Sequence, residues 1–477
     1  MTYVPVHVRL ESDSFPCEGV EVARLTGRER ISQLFQLDVE IVADAHGPTR
    51  QTMAGATATL VFEREGHELR RLHGMIARVR ETFEGEGDAH HYHLRFVPRA
   101  HRLTLVESQE IYMDLSVPDI LRRLFEQVEL GGEVDMDLLG EHRKQEFVVQ
   151  YKESDLAFAS RLAEHHGLSF YFLHEDGRDR VVFTDGQRFP RLESPGKIPL
   201  HLRGERHGIF HLEVETGLIP MTYAVVDYNY RNPALDLTGV YESPQGFAGG
   251  VAEYGTHVKT PGEAAAFANI RAEERECGRE VYVGKSDVCE LFAGAKIDVE
   301  GGKQEDSSLL VVEVEHRVSQ VTRVQGGKEV ERYENTFRAV PASVVYRPAR
   351  VTPRPKIAGV VSGIIEQRDG ASTRYARIDK QGRYRVRFLF DTAAPGERKA
   401  SRPVRMAQFS SGAGMGMHFP LRPGTEVLLA FVDGDPDRPI ILSSIPNAIT
   451  PSPVTASNSL KNQIKTASGV LLEIKDS

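Results

Sequence analysis

A mainly β protein with a few short helices is the fold class this sequence predicts, on three observations. Glycine and proline are plentiful and dispersed, 42 and 25 of 477 residues, which suits many short strands joined by turns. Apolar residues recur at every second position in one segment after another, the period of a strand with one buried face. Only three segments repeat at the helical period instead.

In chain order, Val6, Val8 and Leu10 alternate with polar neighbours, ATATLVFERE and LHGMIARVRETF read as further strands around a Gly-bearing turn, and Tyr92, Leu94 and Phe96 close the first set. In SVPDILRRLFEQVEL, Ser116 precedes a helix expected over 117–129, with Ile120, Leu121, Leu124, Phe125 and Val128 on one face. ESDLAFASRLAEHHGL predicts a second helix over 154–166, stopped by Gly167 in a left-handed conformation. TPGEAAAFANIRAEERE predicts a third over 261–275, with Thr260 as cap, Pro261 at the first helical position and Glu263 completing a capping box.

VVYRPARVTPRPKIAG reads as a linker, its prolines favouring extended backbone, and sets a domain boundary near Thr352. Beyond it, YARIDKQGRYRVRFLF predicts a hairpin turning at Asp379 to Gly382. Tyr384, Val386, Phe388 and Phe390 fall on one face, and Arg383, Arg385 and Arg387 on the other. TEVLLAFV and PIILSSI are apolar strands around the DGDPDR turn, where Pro436 forces Asp435 into extended backbone. Short strands in this density suit a small closed barrel of the OB type.

Composition narrows the function. No stretch approaches the roughly 18 apolar residues of a membrane span, and the start, MTYVPVHVRLESDSF, lacks the basic and apolar regions of a signal peptide, so synthesis in the cytoplasm is expected. Cys17, Cys277 and Cys289 are too few and too scattered for a disulfide framework. A net charge of −9 disfavours a phosphate backbone as partner.

Two blocks then carry a family resemblance. FPLRPGTEVLLAFVDGDPDRPIILSSIPNA, from Phe419 to Ala448, resembles the signature of VgrG proteins, the spikes of type VI secretion systems and related contractile injection machines. QYKESDLAFASRLAEHHGLSFYFLHEDGRDRVVFTDG, from Gln150 to Gly186, is similar to the helix and strand block of the VgrG hub, and VVDYNYRNP, DKQGRYRVRF and NQIKTASGVLLEI follow in the expected order. The resemblance implies a phage-baseplate-hub module of two barrel-like subdomains with α/β insertions over 1–350, an OB-fold domain over 351–448, and a linker with the start of a trimeric β-prism or β-helix needle over 449–477. It assigns the structural signature to Gly382, Arg383, Phe419, Pro420, Gly424, Glu426, Asp433, Gly434, Asp435, Pro436, Asp437, Arg438 and Pro439, and the needle to Ile464, Gly469, Val470, Leu472 and Ile474.

The same resemblance implies a non-enzymatic homotrimer that docks on a hexameric tail-tube protein among baseplate proteins, carries a PAAR-type tip protein and effectors, meets the target membrane transiently, and is secreted on firing. It implies no cofactor, metal, catalytic residue or nucleic acid. A phage-tail-like extracellular particle is the variant reading. Family blocks resembling FHWD and CWIRV read FLFD and RPVRM here, and the chain has no tryptophan.

Other classes have weaker footing. GAGMG at Gly412 to Gly416 is followed by Pro420 and Pro423, which forbid the helix a phosphate cradle needs, and reads as an OB loop. His90, His91 and His93 supply two histidines on one strand face, short of a zinc site. The strongest rival is an OB-fold single-strand binder using Arg374, Arg377, Arg383, Arg385 and Arg387, but Tyr384, Phe388 and Phe390 alternate onto the opposite side, away from any base they would stack on.

Overall fold

Alternation in the first hundred residues builds strands whose inward side chains vanish from solvent: Val8, Leu10, Leu60, Phe62, Leu94 and Phe96 are all at most 5% exposed. The computed structural model describes residues 4–44, 46–83, 89–186, 188–201, 207–301, 307–322, 331–366, 375–392 and 401–475. They form two compact units. The first comprises Met1–Val106, Pro118–His142 and Asp155–Thr352; the second comprises Glu107–Val117, Arg143–Ser154 and Pro353–Ser477.

The first unit is organised by a 12-stranded sheet that rolls into two barrels. In barrel one, neighbours run His7–Glu11, Thr57–Arg64, His67–Thr82, His90–Val97, Gln36–Ala43 and Val20–Arg30. Its closing seam is made by a side chain. The Gln320 amide, buried at 2% exposure, accepts the Val8 N–H and donates to the Val8 carbonyl (3.0 Å) and the Val22 carbonyl (2.6 Å), standing where a strand's peptide group would. Barrel two runs Ser307–Ser319, Arg332–Pro341, Glu280–Ser286 and Ile209–Thr216. The Leu200–Ile209 bridge, Ile198–Pro199 and Lys296–Glu300 return the circuit to Ser307–Ser319. Ile198, Ile209, Leu291, Val311 and Phe337 lie at its core. The two barrels are zipped by one antiparallel ladder, Arg24 opposite Ser319 through Arg30 opposite Glu313.

All three helices form: Val117–Gln127, Asp155–His165 and Pro261–Glu276. Ile120, Leu121, Leu124, Phe125 and Val128 are buried as the spacing requires. Gly167 stops the second helix at φ 69°, with the Leu168 N–H reaching back to the Ala163 carbonyl. The third cap differs in one detail. Thr260 Oγ1 accepts the Glu263 N–H, but the Glu263 carboxylate takes the Lys259 N–H rather than that of Thr260.

The proline-rich linker is extended but strapped down. Arg347 donates to Glu273 (2.7 Å) and to the carbonyls of Gly167 (3.0 Å) and Asp185 (2.6 Å). Arg350 pairs with Glu274 and Glu253, and Thr352 gives both its N–H and its hydroxyl to the Glu164 carboxylate. Burial raises the Glu164 pKa, while the Thr352 bonds pull against that rise.

In the second unit, Val361–Ile365 lies between Val386–Phe388 and Glu426–Phe431, and Pro439–Ser444 completes four strands. Bridges from Val404 to Tyr384 and from Met406 to Ile441 close the circuit as a five-segment barrel. Gly363 is required inside it, because a Cβ there would meet Val386 Cγ1 at 2.5 Å and Leu429 Cδ1 at 2.9 Å. The expected hairpin is only half present. The turn forms, but Ala376 donates to Leu421 instead of pairing across it. GAGMG is a tight hairpin, Ser411–Gly412 against Met415–Gly416, rather than a loose loop.

Two strips from far upstream belong to this unit. Ile111, Phe147 and Tyr151 pack on the barrel core of Val386, Phe388, Leu429 and Ile441, and Arg402 pairs with Asp114 and Glu146.

Candidate functional site

The signature block folds into a braced turn. Asp433 (φ 55°) and Gly434 (φ 75°) occupy left-handed backbone, and Asp435 is extended at φ −71°, ψ 114°, as a residue before proline must be. Pro436 is buried. The Val432 N–H donates to the Arg438 carbonyl and the Arg438 N–H to the Asp435 carbonyl, closing the loop before Pro439 opposite Phe431. Asp435 and Asp437 face inward: Arg354 Nη2 lies 2.9 Å from each carboxylate, and Asp437 accepts the Val149 N–H at 2.7 Å. Burial works against the Arg354 charge, but the Asp437 and Asp435 carboxylates outweigh it and raise its pKa. The acidic turn is therefore an internal tie.

The other signature positions are likewise spent on the fold. Gly382 turns at φ 71°, and Arg383 holds Asp379, whose pKa is lowered by that bond against the cost of burial. The Gly424 N–H donates to the Ile365 carbonyl. Asn447 and Ser362 donate to Glu426 and lower its pKa. Phe419 is half-exposed and Pro420 exposed. Of the rival arginines, Arg383 and Arg387 sit in ion pairs with Asp379 and Glu366, Tyr384 and Phe388 are buried, and Arg374 lies outside the described residues.

The C-terminal segment departs from a single extended arm. Lys461–Lys465 and Leu471–Lys475 pair as an antiparallel hairpin, Ile464 opposite Leu472 and Asn462 opposite Ile474, with Gly469 at φ 94° in the turn. Ile464, Leu472 and Ile474 share one face and stay 45% to 60% exposed, and Val470 is 66% exposed. A lone two-stranded hairpin with a bare apolar face is marginal in water.

Within the hub, sequence reasoning missed a sealed polar chain. Arg70 grips both Glu29 oxygens, Glu29 Oε1 lies 2.7 Å from His316 Nε2, and His316 Nδ1 lies 2.7 Å from the Tyr333 hydroxyl. Burial opposes the Glu29 charge, yet Arg70 and His316 bring its pKa down to about 2; burial lowers that of His316. With Glu29 at 4% exposure and His316 at 1%, no solute reaches this chain of groups. A cleft of about 400 Å³ beside His73 is lined by charges already paired, Arg71 with Glu11 and Glu68, and Arg99 with Asp179. His90 and His93 face Glu81 and Glu40.

Two zipped barrels followed by a closed OB-type barrel and a free apolar hairpin define the hub and spike of a contractile tail. The chain belongs to the phage tail baseplate hub (GPD) family, whose model matches residues 28–322, and residues 375–445 match the type VI secretion system/phage-baseplate injector OB domain. Together these make it a VgrG-type spike protein in architecture. Curated relatives include the type VI secretion system spike protein VgrG3 of Vibrio cholerae, 28% identical over 93% of this chain and 45% of its own length. VgrG1b of Pseudomonas aeruginosa is 27% identical over 92% and 60%. The chain thus spans about half the length of these relatives. Another relative, the actin cross-linking toxin VgrG1 of V. cholerae, is 28% identical, and this chain matches 39% of it. Among solved structures, E. coli c3393, a type VI secretion component likened to the T4 tail proteins gp27 and gp5, has a TM-score of 0.68 at 25% identity, covering 92% of this chain and 99% of its own. A chain of the Francisella PdpA-VgrG complex shares the fold, with a TM-score of 0.62 at 9% identity over 99% of this chain and 75% of its own.

Proposed function

We propose that this chain is a non-enzymatic, homotrimeric hub and spike of a contractile injection apparatus, with domains at 1–350, 351–448 and 449–477. It docks on a hexameric tail tube, bears a tip protein and effectors, and is driven through a target membrane. The observation that carries this is the hairpin from Lys461 to Lys475, whose apolar face of Ile464, Leu472 and Ile474 has no cover in one chain. Three copies around an axis bury that face and pair its free edges. The signature residues then hold the OB barrel rigid, and Ile464, Gly469, Val470, Leu472 and Ile474 begin the needle.

Light scattering tests the assembly: the expected mass is about three times 53.2 kDa, and a monomer across micromolar concentrations refutes it. Peptidoglycan zymography tests the absence of intrinsic hydrolysis, with clearing that depends on a single carboxylate as the contrary result.

A further inference from the structure

Leu156, Ser160 and Glu164 recur at every fourth position of the helix Asp155–His165, so they form one row along a single face. That row borders a cleft of about 300 Å³, which Thr352 and His101 also line. Phe35, Val97 and Phe170, each at most 4% exposed, give it an apolar wall. A cavity of this size stands at the small end of those that hold ligands.

Its polar groups are unbalanced in one direction. Glu164 is 4% exposed, and the donors that reach its carboxylate are neutral: the Thr352 N–H at 2.9 Å and the Thr352 hydroxyl at 2.7 Å. No cation pairs with it among the described residues, and the Arg350 guanidinium is spent on Glu253 and Glu274. The Glu274 charge adds to the rise that burial imposes on the Glu164 pKa. Glu164 also occupies the last turn of its helix, where the dipole favours a cation over a carboxylate. The His101 imidazole makes no hydrogen bond among the described residues. Burial first and the Arg95 charge second lower its pKa, which leaves it neutral at pH 7 with one ring nitrogen free to accept.

A buried carboxylate is costly until a cation pairs with it. An anion is repelled here, and a neutral alcohol leaves the charge unanswered. A primary ammonium brings three donors and no acceptor, and an apolar stem covers the aromatic wall.

We propose that this cleft binds a primary alkylammonium group, its N–H donors directed at the Glu164 carboxylate and the His101 imidazole and its stem laid against Phe35, Val97 and Phe170. The group belongs to a free alkylamine or to the lysine side chain of a partner. Its charge keeps Glu164 ionised, and hydrogen bonds to an ionised acceptor are the stronger ones, so occupancy tightens the hold of Glu164 on Thr352. The site is independent of the assembly proposed above.

Calorimetric titration of the full chain at pH 7 tests this with n-hexylamine, and with 1-hexanol and hexanoate as its neutral and anionic counterparts. The amine is expected to bind with a Kd of about 1 mM or tighter. The other two should bind about ten-fold more weakly or worse, the scale of a hydrogen bond to a charged group. Glu164→Gln keeps an acceptor for the Thr352 hydroxyl but removes the charge; it should weaken the amine by about the same factor and leave hexanol unchanged. Ser160→Phe fills the cleft without altering the carboxylate and should abolish binding of both, with circular dichroism confirming folded chains. Hydrogen exchange locates the ligand: with hexylamine bound, the peptide carrying Val351 and Thr352 should exchange about ten-fold more slowly. A capped Leu-Lys-Leu peptide separates the sources, tighter binding than hexylamine assigning the cleft to a partner's lysine and weaker binding to a free amine. Equal binding of hexylamine and hexanol, undiminished amine binding by Glu164→Gln, or slowed exchange only away from the cleft overturns the proposal.

Discussion

Replacing Gln320 with leucine should open the seam of barrel one. The side chain is nearly isosteric and stays apolar in a buried place, so packing changes little, but three backbone groups lose their partner: the Val8 N–H, the Val8 carbonyl and the Val22 carbonyl. A buried polar group left unpaired costs about 1–3 kcal/mol, so three of them amount to about 3–9 kcal/mol if water does not enter. The Gln320 N–H bond to the Ala23 carbonyl survives, which confines the damage to the seam. Hydrogen exchange followed by mass spectrometry reads this locally. Peptides spanning His7–Glu11 should exchange roughly a hundred-fold faster, the factor for about 3 kcal/mol, while Ser307–Ser319 keeps its protection further along. Unchanged exchange at His7–Glu11 and a melting temperature within a degree of the parent would refute the idea that one side chain closes the barrel.

Acid should destabilise the hub in two stages. Burial brings the His174 pKa down to about 3 and lowers that of His316, so below the ordinary histidine value of 6.5 only the unfolded chain takes up these protons. Each histidine then costs up to about 1.4 kcal/mol per pH unit. Glu29, brought down to about 2 mainly by Arg70 against burial, adds stability that is complete above 4.5 and is lost as pH falls toward 2. Urea midpoints that stay level from pH 7 to pH 5 would contradict this. Gly363→Val should lower stability by about 1–3 kcal/mol through overpacking, seen as a lower urea midpoint; an unchanged midpoint shows that Val386 and Leu429 give way freely. Pro436→Gly should cost up to about 1 kcal/mol through added freedom of the unfolded chain, read as a lower melting temperature, and equal temperatures would show the turn to be unconstrained.

What was legible in the sequence was local. Period two placed Val8, Leu10, Leu94 and Phe96 inside, helical spacing placed Ile120, Leu121 and Leu124 inside, and proline chemistry gave the backbone of Asp435. The long signature block carried the OB barrel because its glycines and prolines fix turns whatever surrounds them. What stayed hidden joins residues far apart in the chain. Gln320 closes a seam on Val8, and Arg354 reaches the acidic turn some eighty positions later; neither has a neighbour that announces its partner. The strips Glu107–Val117 and Arg143–Ser154 interrupt the hub sequence yet fold with the C-terminal barrel, a crossing no local pattern encodes. The C-terminal apolar positions were visible, but their pairing into a hairpin depended on a turn at Gly469 that one glycine only permits.

The strap from Tyr346 to Thr352 sets how the hub bears force. A pull or thrust entering along the backbone at Pro353 first meets Thr352 on Glu164, then Arg350 on Glu253 and Glu274, then Arg347 on Glu273 and two carbonyls. Those anchors stand on two separate helices, Asp155–His165 and Pro261–Glu276, and on the loops after Gly167 and Asp185. A tether with a single attachment peels one bond at a time, whereas one riveted at several points along its length is loaded in shear and its bonds share the stress. The chain here has the second construction, so a load applied at Pro353 is spread over two helices rather than carried by one peptide.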